Sequence, residues 1–263
     1  MFSSPLIPLF VSLALLVMAR RHLAGTTLLA PWAWAVAVVG FWFTVELWNA
    51  TSVVPTALRY LTLAGTLCPM MALMGAKRPQ DRGWQWIVLS LWCVLAIPVG
   101  QHFMFTPSQP FALFAAWPIF LFVLIGLELL NYLPTRYAPS AMLFVVAQSI
   151  LVAEVLDWFE TPLTSSAAAW LTFVAIAVAW LFSPQSPAPN PQPPTSRWLH
   201  FRNTFGAFWA LRILQRVNQT AEIQDWPVRL EWSGFRELPG RSDPLPEEAV
   251  EKCLDTLLRR FGS

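Results

Sequence analysis

A chain of 263 residues that is 56% hydrophobic, 12% charged and +2 in net charge is far poorer in charge than a soluble domain, which averages about 25%. That balance points to a membrane protein and excludes nucleic acid as a partner, because a phosphate backbone demands a strongly basic surface. Cys68, Cys93 and Cys253 are widely separated and form no CxxC, so they are read as small apolar fillers.

A helix needs about 20 mostly apolar residues to cross a bilayer. The sequence predicts seven such spans, at 3–19, 26–47, 56–76, 84–105, 111–131, 138–156 and 166–183. The first lacks a basic leader, and Arg20 and Arg21 follow its apolar run, so it is expected to be a retained helix rather than a cleaved signal.

Lysine and arginine in short loops set the orientation. Arg20 and Arg21 follow span one, Lys77, Arg78 and Arg82 follow span three, and Arg136 follows span five. The loops after spans two, four and six carry none, apart from Arg59 at the edge of span three. The N-terminus is therefore expected outside and the C-terminus in the cytoplasm, as in a multi-pass protein of a cell's inner membrane. The fold class expected is an all-α polytopic membrane protein spanning 1–183, a proline-rich linker over 184–196, and a small α+β cytoplasmic tail over 197–263.

Among the polar residues of the spans, Glu46, Arg59, His102, Glu154 and Asp157 all fall at the outer boundary. One reading is a functional site, since ionisable groups at membrane depth often mark ion or substrate paths. The other is an ion pair between Glu46 and Arg59 closing the hairpin of spans two and three, the rest being wetted helix ends. Trp42 and Trp48 are read as a headgroup belt. Glu160 lies in the following loop. Deeper, Gln148 is expected to hydrogen-bond between helices, and Glu128 to anchor the inner end of span five. Pro69, Pro98 and Pro118 interrupt spans three, four and five, a pattern that can line a cavity.

After the linker, "RWLHFRNTFGAFWALRILQRVNQ" is expected to be a helix in which Arg197, Arg202, Arg212 and Arg216 mingle with Trp198, Phe201, Phe205, Phe208 and Trp209. It would either lie at the anionic inner leaflet with its guanidiniums reaching phosphates, or pack on the rest of the tail. "WPVRLEWSGF" alternates as a strand whose partner is another chain or a second strand near 235–240. In "PEEAVEKCLDTLLRRF", Pro246, Glu247 and Glu248 suit a helix start and Arg259 and Arg260 its end. Val250, Cys253, Leu254, Leu257, Leu258 and Phe261 form its apolar stripe, expected to cover the strand and first helix of the tail.

Catalytic signatures are missing. The two lysines, Lys77 and Lys252, lie outside the spans, and of the three histidines, His22, His102 and His200, only His102 is at a span end. A retinal Schiff base and a bis-histidine haem are thereby excluded. No metal or cofactor motif and no nucleophile elbow occurs. Asn49-Ala-Thr51 and Asn218-Gln-Thr220 match a glycosylation pattern that arises often by chance. There is no internal repeat. The leading expectation is a non-enzymatic accessory or assembly subunit whose tail binds a protein partner or the lipid surface. The alternatives are a transporter of protons, cations or small solutes through the outer carboxylates, and a lipid-modifying enzyme pairing His102 with Glu154 or Asp157.

Overall fold

A computed structural model describes residues 4–51, 55–158, 164–182, 193–238 and 247–262. The protein is mostly helical. The apolar segments become α1 (Leu6–Leu23), α2 (Leu29–Asn49), α3 (Thr56–Thr66), α4 (Cys68–Met74), α5 (Gln80–Leu95), α6 (Ile97–Phe105), α7 (Ala116–Tyr132), α8 (Ala138–Val155) and α9 (Thr164–Leu181). Most of the linker, with Pro246 and Glu160, lies outside the described residues.

Two expected spans are broken. Pro69 is the second residue of α4 and Pro98 the second of α6, positions where a missing N–H leaves no helical carbonyl orphaned. The chain continues nearly as one rod from α3 into α4, whereas α5 and α6 bend by 41°. Pro118, expected to interrupt a span, sits in the first turn of α7, because that helix begins at Ala116 rather than near 111. By length and composition, Leu29–Asn49, Thr56–Met74 and Ala138–Val155 can each cross a bilayer, and the bent pair Gln80–Phe105 makes a fourth. Ala116–Tyr132 and Ser165–Leu181 are apolar but shorter. Arg20 and Arg21, expected in a loop, belong to the last turn of α1, where Arg20 lies over the Trp32 ring at 5.8 Å.

The helix α3 forms the axis of the bundle, contacting α2, α5, α6 and α8, while α9 packs against both α1 and α8. Tyr60, Leu63 and Leu67 are sealed there. Outward-facing residues are also apolar, Phe10, Ile119 and Leu130 among them, which is the pattern of a helix whose outer solvent is hydrocarbon.

The tail comprises α10 (Pro194–Ile223), an antiparallel hairpin of β1 (Val228–Glu231) and β2 (Gly234–Glu237), and α11 (Glu247–Leu258), which ends in a 3-10 turn at Arg259–Phe261. The strand expected near 235–240 is thus β2, and β1 is satisfied within its own chain. The stripe of α11 covers α10 as expected, and Phe261 meets Phe201, Phe205 and Trp209 with ring centroids 4.9–5.1 Å apart.

The tail is not a separate globule. Met70 and Leu73 of α4, together with Ala76, are buried in one apolar cluster with Trp198, Phe205, Trp209 and Phe261. Three loops of the helical bundle also bond to it. Thr27 donates its N–H to the Phe261 carbonyl at 3.2 Å, Arg78 donates its N–H to that of Arg260 at 2.8 Å, and the Arg136 N–H reaches the Asn203 Oδ1 at 3.4 Å. The loops after α1, α4 and α7 therefore meet the tail at one end of the bundle.

Candidate functional site

At the opposite end, the five ionisable residues acquire different partners. Arg59, in the first turn of α3, forms an ion pair with Glu154 of α8, its Nη1 donating to Oε1. This corrects the expected Glu46–Arg59 pair: the two residues flank one turn, but α8 packs on α3 and presents a carboxylate to Arg59 first. Glu46, 4% exposed, instead accepts hydrogen bonds from Ser165 Oγ at the start of α9 and from Trp42 Nε1 one turn earlier at 3.4 Å. Trp42 is accordingly 2% exposed and belongs to the core rather than to a headgroup belt, whereas Trp48 is exposed.

His102 lies edge-on to Phe111 at 5.5 Å, and Phe111 in turn contacts Tyr60. Its ring also meets Phe103 edge-on at 5.4 Å. Asp157 is exposed and takes a left-handed φ of 54° just past the end of α8, a conformation that aspartate tolerates better than most residues. Of the five, Arg59 and Glu154 are brought together as an ion pair.

A second polar group lies in the interior. Gln148 of α8, 1% exposed, donates both hydrogens of its amide nitrogen, to Thr66 Oγ1 on α3 at 3.2 Å and to Glu128 Oε2 on α7 at 3.0 Å. The interhelical role expected for Gln148 is seen in these two bonds. Glu128 differs from expectation: it turns into the bundle toward Gln148 instead of anchoring an interface.

The basic and aromatic residues of α10 also depart from a lipid-facing arrangement. Trp198 and Trp209 are buried, and Trp209 Nε1 donates to the Leu73 carbonyl at 2.9 Å. Arg197 pairs with Asp255 of α11. Arg202 donates to the Trp232 carbonyl at 2.7 Å and to Asn203 Oδ1, with its guanidinium 5.2 Å from the Trp232 ring. The aromatic side chains find a core in α4 and α11, and two of the arginines are drawn to the acceptors of the tail itself.

Arg212 and Arg216 remain near the junction. Arg212 stacks over Phe208 at 4.3 Å, and Lys77 Nζ stands 5.9 Å from the Trp209 ring. Burial, followed by the charges of Arg260, Arg212 and Arg216, holds Lys77 below its ordinary pKa. Four cations thus share one region where the tail meets the bundle.

Two asparagines whose roles the sequence did not show fix the backbone of the tail. Asn131, at the end of α7, accepts the Phe208 N–H at 2.9 Å beside Gly206, where α10 breaks at φ 75° and ψ −176°. Asn218 both donates to the Leu230 carbonyl at 2.9 Å and accepts its N–H at 2.8 Å. Among the described residues, no group of three or more His, Cys, Asp or Glu side chains could hold a metal ion. Comparison with family models, with curated proteins and with solved structures returns no match to this chain.

Proposed function

We propose that the protein is a multi-pass inner-membrane subunit, N-terminus outside and C-terminus cytoplasmic, that serves in assembly by holding its tail as a fixed platform for a protein partner. The observation that carries this reading is the shared core of Met70, Leu73 and Ala76 with the tail aromatics. A tail serving as a loose tether would have no need of such a wall. One buried against the bundle presents its outer face at constant height and angle to the membrane, which reduces the ordering cost that a partner meets on docking.

The polar residues at the other end fit this role without chemistry. Arg59–Glu154 and Glu46–Ser165 each tie two helices together. Purification in mild detergent tests the proposal. A stoichiometric protein partner that is lost when the tail surface is altered supports it. A chain that emerges alone and monomeric, with its tail dispensable for phenotype, counts against it.

Transport is the second reading, and the depth of Glu46 favours it: a carboxylate 4% exposed among helices is a position that often marks an ion path. Flux in proteoliposomes should then fall for Glu46→Gln and Glu154→Gln. Unchanged flux in both removes it.

A further inference from the structure

A cavity of about 410 Å³ lies within the bundle, walled by α1, α2, α8 and α9 and reached by Glu128 and Tyr132 of α7. That volume falls in the range of small-molecule sites, roughly 300–1,000 Å³. Most of its wall is apolar, with Leu16, Val38, Phe144 and Ile176 typical of it. At the tail end Thr204 of α10 joins the wall, and its carbonyl accepts the Tyr132 hydroxyl at 3.3 Å.

The polar groups at the cavity are unevenly matched. Thr172 is 1% exposed, lines the wall, and its hydroxyl has no hydrogen-bond partner among the described residues. Gln148 does not line the cavity but stands behind it, its amide hydrogens spent on the lining residues Thr66 and Glu128. Glu128 lines the cavity, and among the described residues no lysine, arginine or histidine forms an ion pair with it. Buried polar groups are nearly always paired: the Thr172 hydroxyl can donate or accept, whereas the Glu128 carboxylate only accepts and so calls for a donor from outside. Water could answer one such group, but the long apolar wall beside it would gain nothing from water.

We propose that the cavity binds a hydrophobic molecule with a hydrogen-bond-donating head, an amine or an alcohol. The head sits at Glu128 and Thr172, and the apolar body lies along α1, α2, α8 and α9. This site is independent of the assembly role: partner capture could fail while the cavity still fills.

The full chain in nanodiscs can be titrated with dodecylamine, dodecanol and laurate, which share one tail and differ in their heads. The expected result is saturable binding of dodecylamine, dodecanol or both, with laurate at least roughly tenfold weaker because its carboxylate would face that of Glu128. Preference for the amine identifies Glu128 as a counter-charge, and equal binding of amine and alcohol identifies donation alone. Ala35→Phe, which places a ring in the wall, should abolish binding. Thr172→Val keeps shape and removes the unpaired hydroxyl, so it should fold well and weaken binding roughly three- to tenfold. Laurate binding as tightly as the other two, or Thr172→Val binding all three as the wild type does, overturns the proposal. So does a folded Ala35→Phe chain with undiminished binding, or the absence of saturable binding in the wild type.

Discussion

Asn131 of α7 occupies the break in α10 at Gly206. Its Oδ1 accepts the Phe208 N–H, its Nδ2 lies 3.8 Å from Met70 Sδ, and a Cβ placed on Gly206 would come within 2.1 Å of the amide. Glycine is required twice over at this position, by φ 75° and by the close approach. Gly206→Ala should therefore destabilise the protein by about 2–3 kcal/mol, combining backbone strain with a displaced cap. Asn131→Ala, which removes only the cap, should cost about 1 kcal/mol. Thermal melting in one detergent would rank the two, and an Asn131 variant worse than the Gly206 variant would contradict the reading.

Arg59 and Glu154 test whether the opposite end is a tie between helices. The arginine side chain is 28% exposed and the glutamate 10%. Loss of either side chain removes a charge-assisted bond from a poorly hydrated place, so Arg59→Met or Glu154→Gln should cost about 3 kcal/mol, the low end for a buried pair. The double replacement Arg59→Met with Glu154→Met should recover much of that loss, because both desolvated charges go together. Additive losses in the double-mutant cycle would refute the coupling.

Asn218 behaves as the edge of a third strand. Its amide serves both the N–H and the C=O of Leu230 on the side of β1 away from β2. Asn218→Ala leaves two backbone groups without these partners and should cost about 2–3 kcal/mol. Asn218→Asp keeps the acceptor and loses the donor, so it should fall between wild type and alanine. Hydrogen exchange at Leu230 should rise in that same order.

Lys77 gives the junction a pH dependence. Its folded pKa is lowered, by burial first and then by Arg260, Arg212 and Arg216. Between that lowered value and the ordinary lysine pKa near 10.4 the unfolded chain holds the extra proton, so this group adds stability as pH rises through the window. The effect should stay under about 1 kcal/mol because solvent screens the site. As pH rises toward the ordinary lysine pKa near 10.4, the wild type should gain melting temperature relative to Lys77→Met. Added salt should narrow the same gap at neutral pH. A gap independent of both would show that the cluster is not felt.

Periodicity and composition reveal these helices because their causes are local. A run of apolar residues becomes a helix wherever hydrocarbon surrounds it, and Pro69 and Pro98 mark the two breaks because proline acts on its own turn. The stripe ending at Phe261 was legible for the same reason. The choice of Glu154 over Glu46 as the partner of Arg59 was not, since it depends on which helix packs beside α3, and that partner is 95 residues away. Met70 and Leu73 read as ordinary span residues, and nothing in their neighbourhood shows that tail aromatics will lie against them. Asn131 and Asn203 carry no pattern, and the triplet at Asn218 says nothing of Leu230: a lone amide shows its use only when the backbone group that it serves has been brought to it. Of the cavity the sequence offered only Pro69, one of the prolines expected to line such a space and a residue of its wall; the rest was hidden, because a cavity is made by what several helices leave unfilled.

The wall that α4 offers to the tail also sets an order of manufacture. The ribosome completes Met70, Leu73 and Ala76 well before the first tail aromatic, so the surface on which Trp209 and Phe261 must settle exists when they emerge. Until α4 is in place, those rings have no floor. Defects in inserting the early helices should therefore surface as exposure of the tail to proteases, far along the chain from the error that caused them.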